Sequence, residues 1–109
     1  MRYFAKDENI KKLIHANRVV IMQFGNNSCA PCAAVMAKLE AWRKKHSEVP
    51  MYYIPVEEFP NLSAQHGIFF IPAVCLYIDG KCALKIAGYF SLEEFLKKTE
   101  RYLSIMQNQ

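Results

Sequence analysis

A pair of cysteines three residues apart stands where the chain changes from a strand-like to a helix-like pattern. The run 19-VVIMQF-24 is almost continuously apolar and of strand length, as expected for a strand buried on both faces. After it, apolar residues recur at helical spacing: Val35, Met36, Leu39 and Trp42. Cys29 and Cys32 lie at the junction, which leaves three interpretations: a redox couple, half of a metal site, or two incidental small residues.

The position of these cysteines at a helix start gives them different properties. Residues three apart on a helix have Cβ atoms ~5–6 Å from each other, so a disulfide needs only a modest distortion of the first turn. Pro31 suits that turn because the N–H that it lacks would be unpaired there. Cys29 lies at the exposed N-terminus, where free amides and the helix dipole favour a thiolate, and Cys32 lies inside the turn. We therefore expect Cys29 to attack a disulfide and Cys32 to resolve the product.

Short patterns predict the remaining elements. The run 51-MYYIPV-56 is rich in strand-forming residues, and 60-PNLSAQHG-67 indicates a short helix or turn. The runs 73-AVCLYI-78 and 81-KCALKIA-87 are separated by Asp79-Gly80, which is typical of a β-hairpin. Two parallel strands joined by the helix after the cysteines, then a hairpin and a covering helix, predict one α/β domain over residues 1–109.

Two helix starts carry capping signals. Asp7 is predicted to be the N-cap of a first helix, ahead of apolar residues at helical spacing. The segment 91-SLEE-94 has the form of a capping box, with Ser91 as N-cap and Glu94 at the third helical position. Phe90 and Phe95 are placed to form a hydrophobic staple around that start.

Composition and charge restrict the class of function. The chain has 109 residues, of which 52% are hydrophobic, enough for one core without disulfide staples. No apolar run is long enough to span a membrane and no export signal is visible, so we expect a cytoplasmic protein that does not associate with membranes. The net charge is +4 and the basic residues lie on polar helix faces beside glutamates, so nucleic-acid binding is not expected. In a reducing cytoplasm, a C-x-x-C pair is more often catalytic or metal-binding than structural.

The ordered set of motifs resembles the thioredoxin family. The strand 19-VVIMQF-24 leading into 29-CAPC-32 is similar to the strand, redox motif and helix of that family. The segment 71-IPA-73 is similar to the segment that carries the family's cis-proline. From that proline through Gly80 to Gly88, the spacing matches the family's proline, hairpin glycine and strand-end glycine without a gap. The C-x-x-C motif alone is common, whereas the ordered set is specific.

The resemblance covers about residues 7 to 105 and implies a thioredoxin-like fold, with a mixed central sheet of four or five strands flanked by helices. It implies a thiol–disulfide oxidoreductase that reduces protein disulfides through Cys29 and Cys32, with no bound cofactor. Electrons would then come from a reductase or a thiol pool, and we expect a monomer. The Ile71–Pro72 bond is expected to be cis, with the Ile71 backbone facing an extended substrate segment. A trans proline that merely opens the strand is the alternative.

Several positions depart from the family pattern. Between the cysteines stand Ala30 and Pro31, where the family usually has Gly-Pro. Ser28 and Gly25 replace aromatic residues, and Gln23 replaces a buried acid that would help to deprotonate the resolving cysteine. We expect Ala30, Pro31 and Gln23 to tune the redox chemistry. Because an amide is no base near neutral pH, either the resolving step is slow or another group assists, for which Glu57 acting through water is a candidate.

A structural zinc site is a second interpretation, and it requires four ligands. The donors available to it are Cys75, Cys82, His46 and His66. In a hairpin with a two-residue loop, Cys82 would face Tyr77 and Cys75 would face Leu84. The two cysteines would then be diagonal neighbours at ~7–8 Å, too far apart for an easy disulfide. Cys75 is therefore expected to be a small core residue, and both cysteines to be dispensable for exchange.

A redox-inert binding module, which keeps the fold for recognising a peptide or partner, is a third interpretation. The departures at Gln23 and Gly25 support it, while the retention of Cys29, Cys32 and the proline between them supports exchange chemistry. Trapping of substrates by a Cys32 variant distinguishes the two, because only an enzyme forms mixed disulfides.

Overall fold

The secondary structure follows from a computed structural model, which describes residues 1–88 and 91–108. Its strands are β1 (Arg2–Tyr3), β2 (Val19–Gly25), β3 (Met51–Pro55), β4 (Ala73–Ile78) and β5 (Lys81–Ala87). Its helices are α1 (Ile10–Ala16), α2 (Ala30–Arg43), α3 (Pro60–Gln65) and α4 (Leu92–Gln107). No helix within these two ranges is long and apolar enough to cross a lipid bilayer.

The described strands form one mixed sheet in the order β1–β3–β2–β4–β5. β2 and β3 run parallel with α2 as the connection between them, whereas β4 runs antiparallel to both β2 and β5. The prediction of two parallel strands joined by a helix and followed by a hairpin is therefore confirmed. So is the predicted architecture, a mixed sheet of four or five strands flanked by helices.

Alternate residues of β2 enter two different hydrophobic clusters. Val20, Met22 and Phe24 pack on the face that α1 and α3 cover. Ile21 packs with Leu39 of α2 on the opposite face, where α4 also lies. All five side chains are fully buried, and each contributes ~1.5–3 kcal/mol through removal of apolar surface from water. Burial on both faces explains why the sequence of β2 is apolar almost without interruption.

The first helix begins later than predicted, and the prediction of Asp7 as its N-cap is wrong. Asn9 is the N-cap: its backbone is extended and its Oδ1 accepts a hydrogen bond from the Lys12 N–H at 3.1 Å. Glu8 closes a turn before the helix, because its carboxylate accepts from the Ala5 N–H at 2.9 Å and its own N–H donates to the Ala5 carbonyl at 3.0 Å. That turn contains Asp7, so the cap falls to the next residue with an acceptor side chain.

The last helix, α4, begins where the capping box predicts. The Ser91 Oγ accepts a hydrogen bond from the Glu94 N–H at 3.4 Å, as expected for an N-cap serine. Phe95 is buried and packs on the face of the sheet that α2 and α4 cover. Phe90, the predicted staple partner of Phe95, lies outside the described residues.

The hairpin of β4 and β5 contains the two-residue turn that the sequence predicts, and a β-bulge that it does not. Asp79 and Gly80 both have positive φ, 50° and 81°, as a type I′ turn requires. Tyr77 pairs with Cys82, but Leu76 pairs with Leu84, so Ala83 is an extra residue on β5. The prediction that Cys75 faces Leu84 is therefore wrong. Cys75 pairs with Lys85, because the bulge shifts the register by one residue.

Candidate active site

A disulfide joins Cys29 and Cys32 at the carboxyl end of β2, where the chain turns into α2. Their Cα atoms are 5.2 Å apart. The turn that leads to Cys29 is built by Asn26, whose carbonyl accepts from the Cys29 N–H at 3.1 Å and whose side chain accepts from the Ser28 N–H at 2.7 Å. This side-chain contact is typical of an Asx turn and holds Cys29 at the surface end of the helix.

Cys29 is the N-cap of α2. Its backbone is extended, and its Sγ accepts a hydrogen bond from the Cys32 N–H at 3.2 Å. Ala30 and Pro31 occupy the first two helical positions and are exposed. Cys29 is partly exposed, whereas Cys32 is buried within the first turn. A sulfur at an N-cap meets free N–H groups and the positive end of the helix dipole, both of which stabilise negative charge on it.

Gln23 lies beneath this turn and touches the backbone of Cys32. It is completely buried, and its Nε2 donates to the Cys32 carbonyl oxygen at 2.8 Å. Its Oε1 is buried without a hydrogen-bond partner among the described residues. A buried polar atom without a partner costs ~1–3 kcal/mol, so the unpaired Oε1 of Gln23 lowers the stability of the fold.

Tyr53 is a neighbour of the cysteines that sequence reasoning missed. It pairs with Gln23 across β2 and β3, and its hydroxyl lies beside Gly25. A Cβ atom added to Gly25 would collide with that hydroxyl and would lie 3.1 Å from the Cys32 Cβ. The absence of a side chain at Gly25 thus makes room for the phenol next to Cys32. The register of parallel strands is the signal that identifies Tyr53, and it depends on the assembled sheet rather than on local sequence.

The titration of Tyr53 suits a hydrogen-bond donor rather than a base. Burial raises the pKa of its hydroxyl above the usual value of 10.0, and the nearby Tyr3 and Glu57 raise it further. Glu57 itself is tied to the turn before the cysteines, where its Oε2 accepts from the Asn27 N–H at 3.1 Å. The structure therefore places Glu57 at the entrance to the cysteine turn and Tyr53 beside Cys32.

The Ile71–Pro72 peptide bond is cis, as the sequence predicts. The Pro72 carbonyl accepts a hydrogen bond from the Gly88 N–H at 3.0 Å, which ties this segment to the end of β5. A groove of about 580 Å³ connects it to α2. Among the residues that line the groove are Pro31, Ala34, Lys38, Ile71, Pro72 and Leu92. Two exposed phenylalanines, Phe69 and Phe70, immediately precede the segment.

The remaining cysteines and histidines do not converge on a metal site. Within the part of the chain that the structure describes, no three His, Cys, Asp or Glu side chains are grouped so as to hold a metal ion. His46 stacks on Trp42 with ring centroids 3.8 Å apart, and the His66 Nδ1 lies 3.2 Å from the Tyr77 hydroxyl. The two histidines proposed as zinc ligands thus lie in separate packing contacts.

Comparisons of the sequence with a family model and with individual relatives all indicate the same family. A family model described as Thioredoxin matches residues 2–101. The thioredoxin of Alicyclobacillus acidocaldarius is 28% identical over 89 residues, which are 81% of this chain and 85% of that protein. The thioredoxin of Mycoplasmoides gallisepticum is 26% identical over 100 residues, 89% of this chain and all of that protein.

Solved structures agree with the sequence comparison. Thioredoxin 1 of Thermosipho africanus superposes with a TM-score of 0.74 at 30% identity, covering 81% of this chain and 98% of that one. The thioredoxin of Fasciola hepatica superposes with a TM-score of 0.77 at 27% identity, covering 91% of this chain and 95% of that one. The predicted fold class is confirmed, and the chain belongs to the thioredoxin family of thiol–disulfide oxidoreductases.

Proposed function

We propose that this chain reduces disulfides in protein substrates, with Cys29 as the attacking thiolate and Cys32 as the resolving thiol. The observation that carries the proposal is the N-cap position of the Cys29 sulfur, 3.2 Å from the Cys32 N–H, in a pair that the structure holds as a disulfide. The helix start stabilises the thiolate that begins the reaction. The Cys32 sulfur is already within bonding distance of the Cys29 sulfur and completes the reaction.

The chemistry balances as a transfer of two electrons to the substrate. The Cys29 thiolate attacks one sulfur of the substrate disulfide, and the other substrate sulfur leaves as a thiolate. Cys32 then loses its proton and attacks Cys29 Sγ, which releases the second substrate thiol. The product is the Cys29–Cys32 disulfide seen in this structure. A reductase or a thiol pool must then return two electrons before the next cycle.

We assign substrate binding to Ile71 and Pro72. The groove beside them joins the cis segment to α2, so an extended polypeptide could lie between the two and place its disulfide over Cys29. Phe69 and Phe70, which are 73% and 71% exposed, continue this surface and favour substrates with apolar side chains near the disulfide. Main-chain pairing at Ile71 would supply affinity with little dependence on substrate sequence.

We further propose that the protein works as a monomer in the cytoplasm. Cys75 and Cys82 are free thiols in the structure, which suits a reducing compartment. The large apolar side chains of the two described clusters are mostly buried within the chain itself.

The reduction potential of the Cys29–Cys32 couple is the experiment that tests this function. We expect a reduction potential of about −270 mV, typical of a thioredoxin and low enough to reduce exposed protein disulfides. Equilibration with dithiothreitol buffers, followed by alkylation and mass spectrometry of the peptide that carries both cysteines, measures it. A couple that never equilibrates would favour the redox-inert binding module, and a value above about −180 mV would indicate an oxidant.

We also expect the Cys29 thiolate to form at a lower pH than the ~8.5 of a free cysteine, because the free N–H groups at the start of α2 stabilise its charge. Thiolate absorbance in a Cys32→Ser variant measures Cys29 in isolation from its partner. Serine at position 32 preserves the N–H that the Cys29 sulfur meets. An unshifted midpoint would show that the helix start does not activate Cys29.

A further inference from the structure

Tyr53 of β3 lies on the face of the sheet that α2 covers, next to Gln23 of β2. The two residues are paired across the parallel strands, so their side chains leave the sheet on the same side. Ile21 and Met51, two residues before each of them, pack on that side with the helices α2 and α4. Tyr53 is only 2% exposed, so its phenol approaches the first turn of α2 from within the protein.

The missing side chain of Gly25 lets the Tyr53 hydroxyl come up to Cys32. A Cβ atom built on Gly25 would collide with the hydroxyl oxygen, and it would lie 2.9 Å from the ring Cζ and 3.1 Å from the Cys32 Cβ. The phenol oxygen and the Cys32 Cβ therefore border the same small space above Gly25. The Cys32 sulfur is bonded directly to that Cβ, so it is within reach of the O–H group once the disulfide with Cys29 is open.

The other polar groups around this turn are unsuited to stabilise negative charge on the Cys32 sulfur. The Gln23 Nε2 already donates to the Cys32 carbonyl oxygen at 2.8 Å, and the Gln23 Oε1 is an acceptor. Glu57 carries a negative charge of its own, and its Oε2 accepts from the Asn27 N–H at 3.1 Å. A thiolate needs a hydrogen-bond donor, and the hydroxyl of Tyr53 is one.

The surroundings of Tyr53 keep its hydroxyl protonated. Burial raises its pKa above the usual 10.0, and two groups raise the pKa further: Tyr3 of β1, whose ring centroid is 4.9 Å away, and Glu57 after β3. A thiolate at Cys32, which faces the phenol from α2, would add a third negative charge and act in the same direction. The hydroxyl therefore remains a donor throughout the pH range in which Cys32 loses its proton.

We propose that the Tyr53 hydroxyl donates a hydrogen bond to the Cys32 sulfur as it becomes a thiolate, which makes Tyr53 a catalytic residue of the resolving step. The proposal rests on the reductase function proposed above. In that step the Cys32 proton passes to water, and the thiolate attacks the Cys29 sulfur. The substrate sulfur leaves with the electron pair of the broken S–S bond and takes up a proton from water. Tyr53 keeps its own proton throughout.

Tyr53→Phe tests the hydrogen bond directly, because it removes the hydroxyl and keeps the ring. In a Cys29→Ser background, we expect the ionisation midpoint of Cys32 to rise by about one pH unit, since the thiolate loses a charge-assisted hydrogen bond. The carbon-13 chemical shift of the Cys32 Cβ, in protein labelled at that atom of cysteine, measures the midpoint without a reagent that must reach the buried sulfur. Equal midpoints with and without the hydroxyl would overturn the proposal.

The rate of resolution in the chain with both Cys29 and Cys32 gives a second signature, which changes sign with pH. A midpoint about one unit higher lowers the thiolate fraction about tenfold at pH 7, whereas the more basic thiolate is about threefold more nucleophilic. We therefore expect Tyr53→Phe to resolve a mixed disulfide about threefold more slowly at pH 7 and about threefold faster above both midpoints. Stopped-flow kinetics with a disulfide peptide measures both rates. The same loss of rate at every pH would show a purely structural role and contradict the proposal.

Tyr52→Phe is the matched control. Tyr52 precedes Tyr53 on β3, but it packs in the cluster on the opposite face of the sheet, with the Arg2 guanidinium 5.4 Å from its ring centroid. Loss of the Tyr52 hydroxyl should leave the Cys32 midpoint and the pH profile of resolution unchanged. A shift as large as that of Tyr53→Phe would show that the midpoint responds to any change in β3, and would overturn the assignment.

The first step of the reaction separates this proposal from the reductase function on which it rests. In a Cys32→Ser background, Tyr53→Phe should form the mixed disulfide through Cys29 at an unchanged rate. An equal slowing there would place the effect of the hydroxyl at Cys29 or at the substrate, and would contradict its assignment to Cys32. A wild-type chain that forms no mixed disulfide would contradict the reductase function, while the Cys32 midpoint would still decide whether the hydrogen bond exists.

Discussion

Replacing Cys32 with serine is expected to stop turnover and to leave the substrate attached to Cys29 as a mixed disulfide. Attack by Cys29 is retained, because its sulfur still caps α2, but the buried sulfur that would release it is gone. In this variant the substrate can be released only by an external thiol at millimolar concentration, in place of the Cys32 sulfur in the same helical turn. We expect reduction of insulin disulfides to fall at least about 100-fold, since a well-placed neighbouring group has an effective concentration far above molar. Non-reducing gels and mass spectrometry measure the trapped adduct.

Cys29→Ser is the matched control for this variant. It should neither reduce insulin nor trap it, because the partly exposed sulfur that reaches the substrate is absent and Cys32 is buried. Circular dichroism of both variants would show that the fold is retained. Trapping through Cys32 in the Cys29→Ser variant would reverse the assigned roles. Absence of trapping by either variant would favour the binding module.

Replacing Gln23 with aspartate is expected to speed the resolving step near neutral pH and to destabilise the fold. Gln23 contacts the carbonyl of Cys32 from a completely buried position, and its amide cannot take a proton from the Cys32 thiol. A carboxylate at this position could accept that proton as the mixed disulfide resolves. Exchange depends on the thiolate fraction of the attacking cysteine, so the wild-type protein should resolve slowly at pH 7 and faster as the pH rises.

The stability of this variant should itself depend on pH. Burial raises the pKa of a carboxyl, so the folded protein holds the proton more tightly than the unfolded chain does. Stability is then highest below the unfolded value of about 3.9 and falls as the pH rises towards the raised folded value. A shift of two to three pKa units would cost about 3–4 kcal/mol at pH 7, at 1.36 kcal/mol per unit. Denaturant melts between pH 4 and pH 8 measure this loss.

Gln23→Asn shortens the side chain equally but adds no acid, and it is the control for both measurements. Stopped-flow kinetics with a disulfide peptide should show faster resolution at pH 7 in the aspartate variant only. If the aspartate and asparagine variants resolve at the same rate with the same pH dependence, then Gln23 acts through packing alone.

The parts of this protein that were predicted correctly are those that local sequence determines. The apolar run of β2, the Asp79–Gly80 turn and the Ser91 cap each depend on a few neighbouring residues, and each is present as expected. The cis Ile71–Pro72 bond was identified through family resemblance. Strand β1 was missed because two residues, Arg2 and Tyr3, carry no periodicity.

The features that escaped prediction depend on contacts between distant parts of the chain. Tyr53 comes to lie beside Cys32 only because β3 takes a particular register against β2 and Gly25 leaves room for its ring. Asp7 is not the N-cap because it lies in the turn that Glu8 closes, and the spacing of apolar residues does not predict that turn. The bulge at Ala83 contains no glycine or proline that would have predicted it from the sequence.

The same bulge has a consequence for how the protein coexists with other copies of itself. β5 is an outer strand of the sheet, and outer strands expose unpaired backbone groups that can recruit strands from other molecules. The extra residue at Ala83 interrupts the straight row of N–H and C=O groups along that border. Lys81 and Lys85 add positive charge on the exposed side of the strand, and copies approaching edge to edge would repel each other. The irregularity that shifts the register of the hairpin thus also discourages growth of the sheet into aggregates.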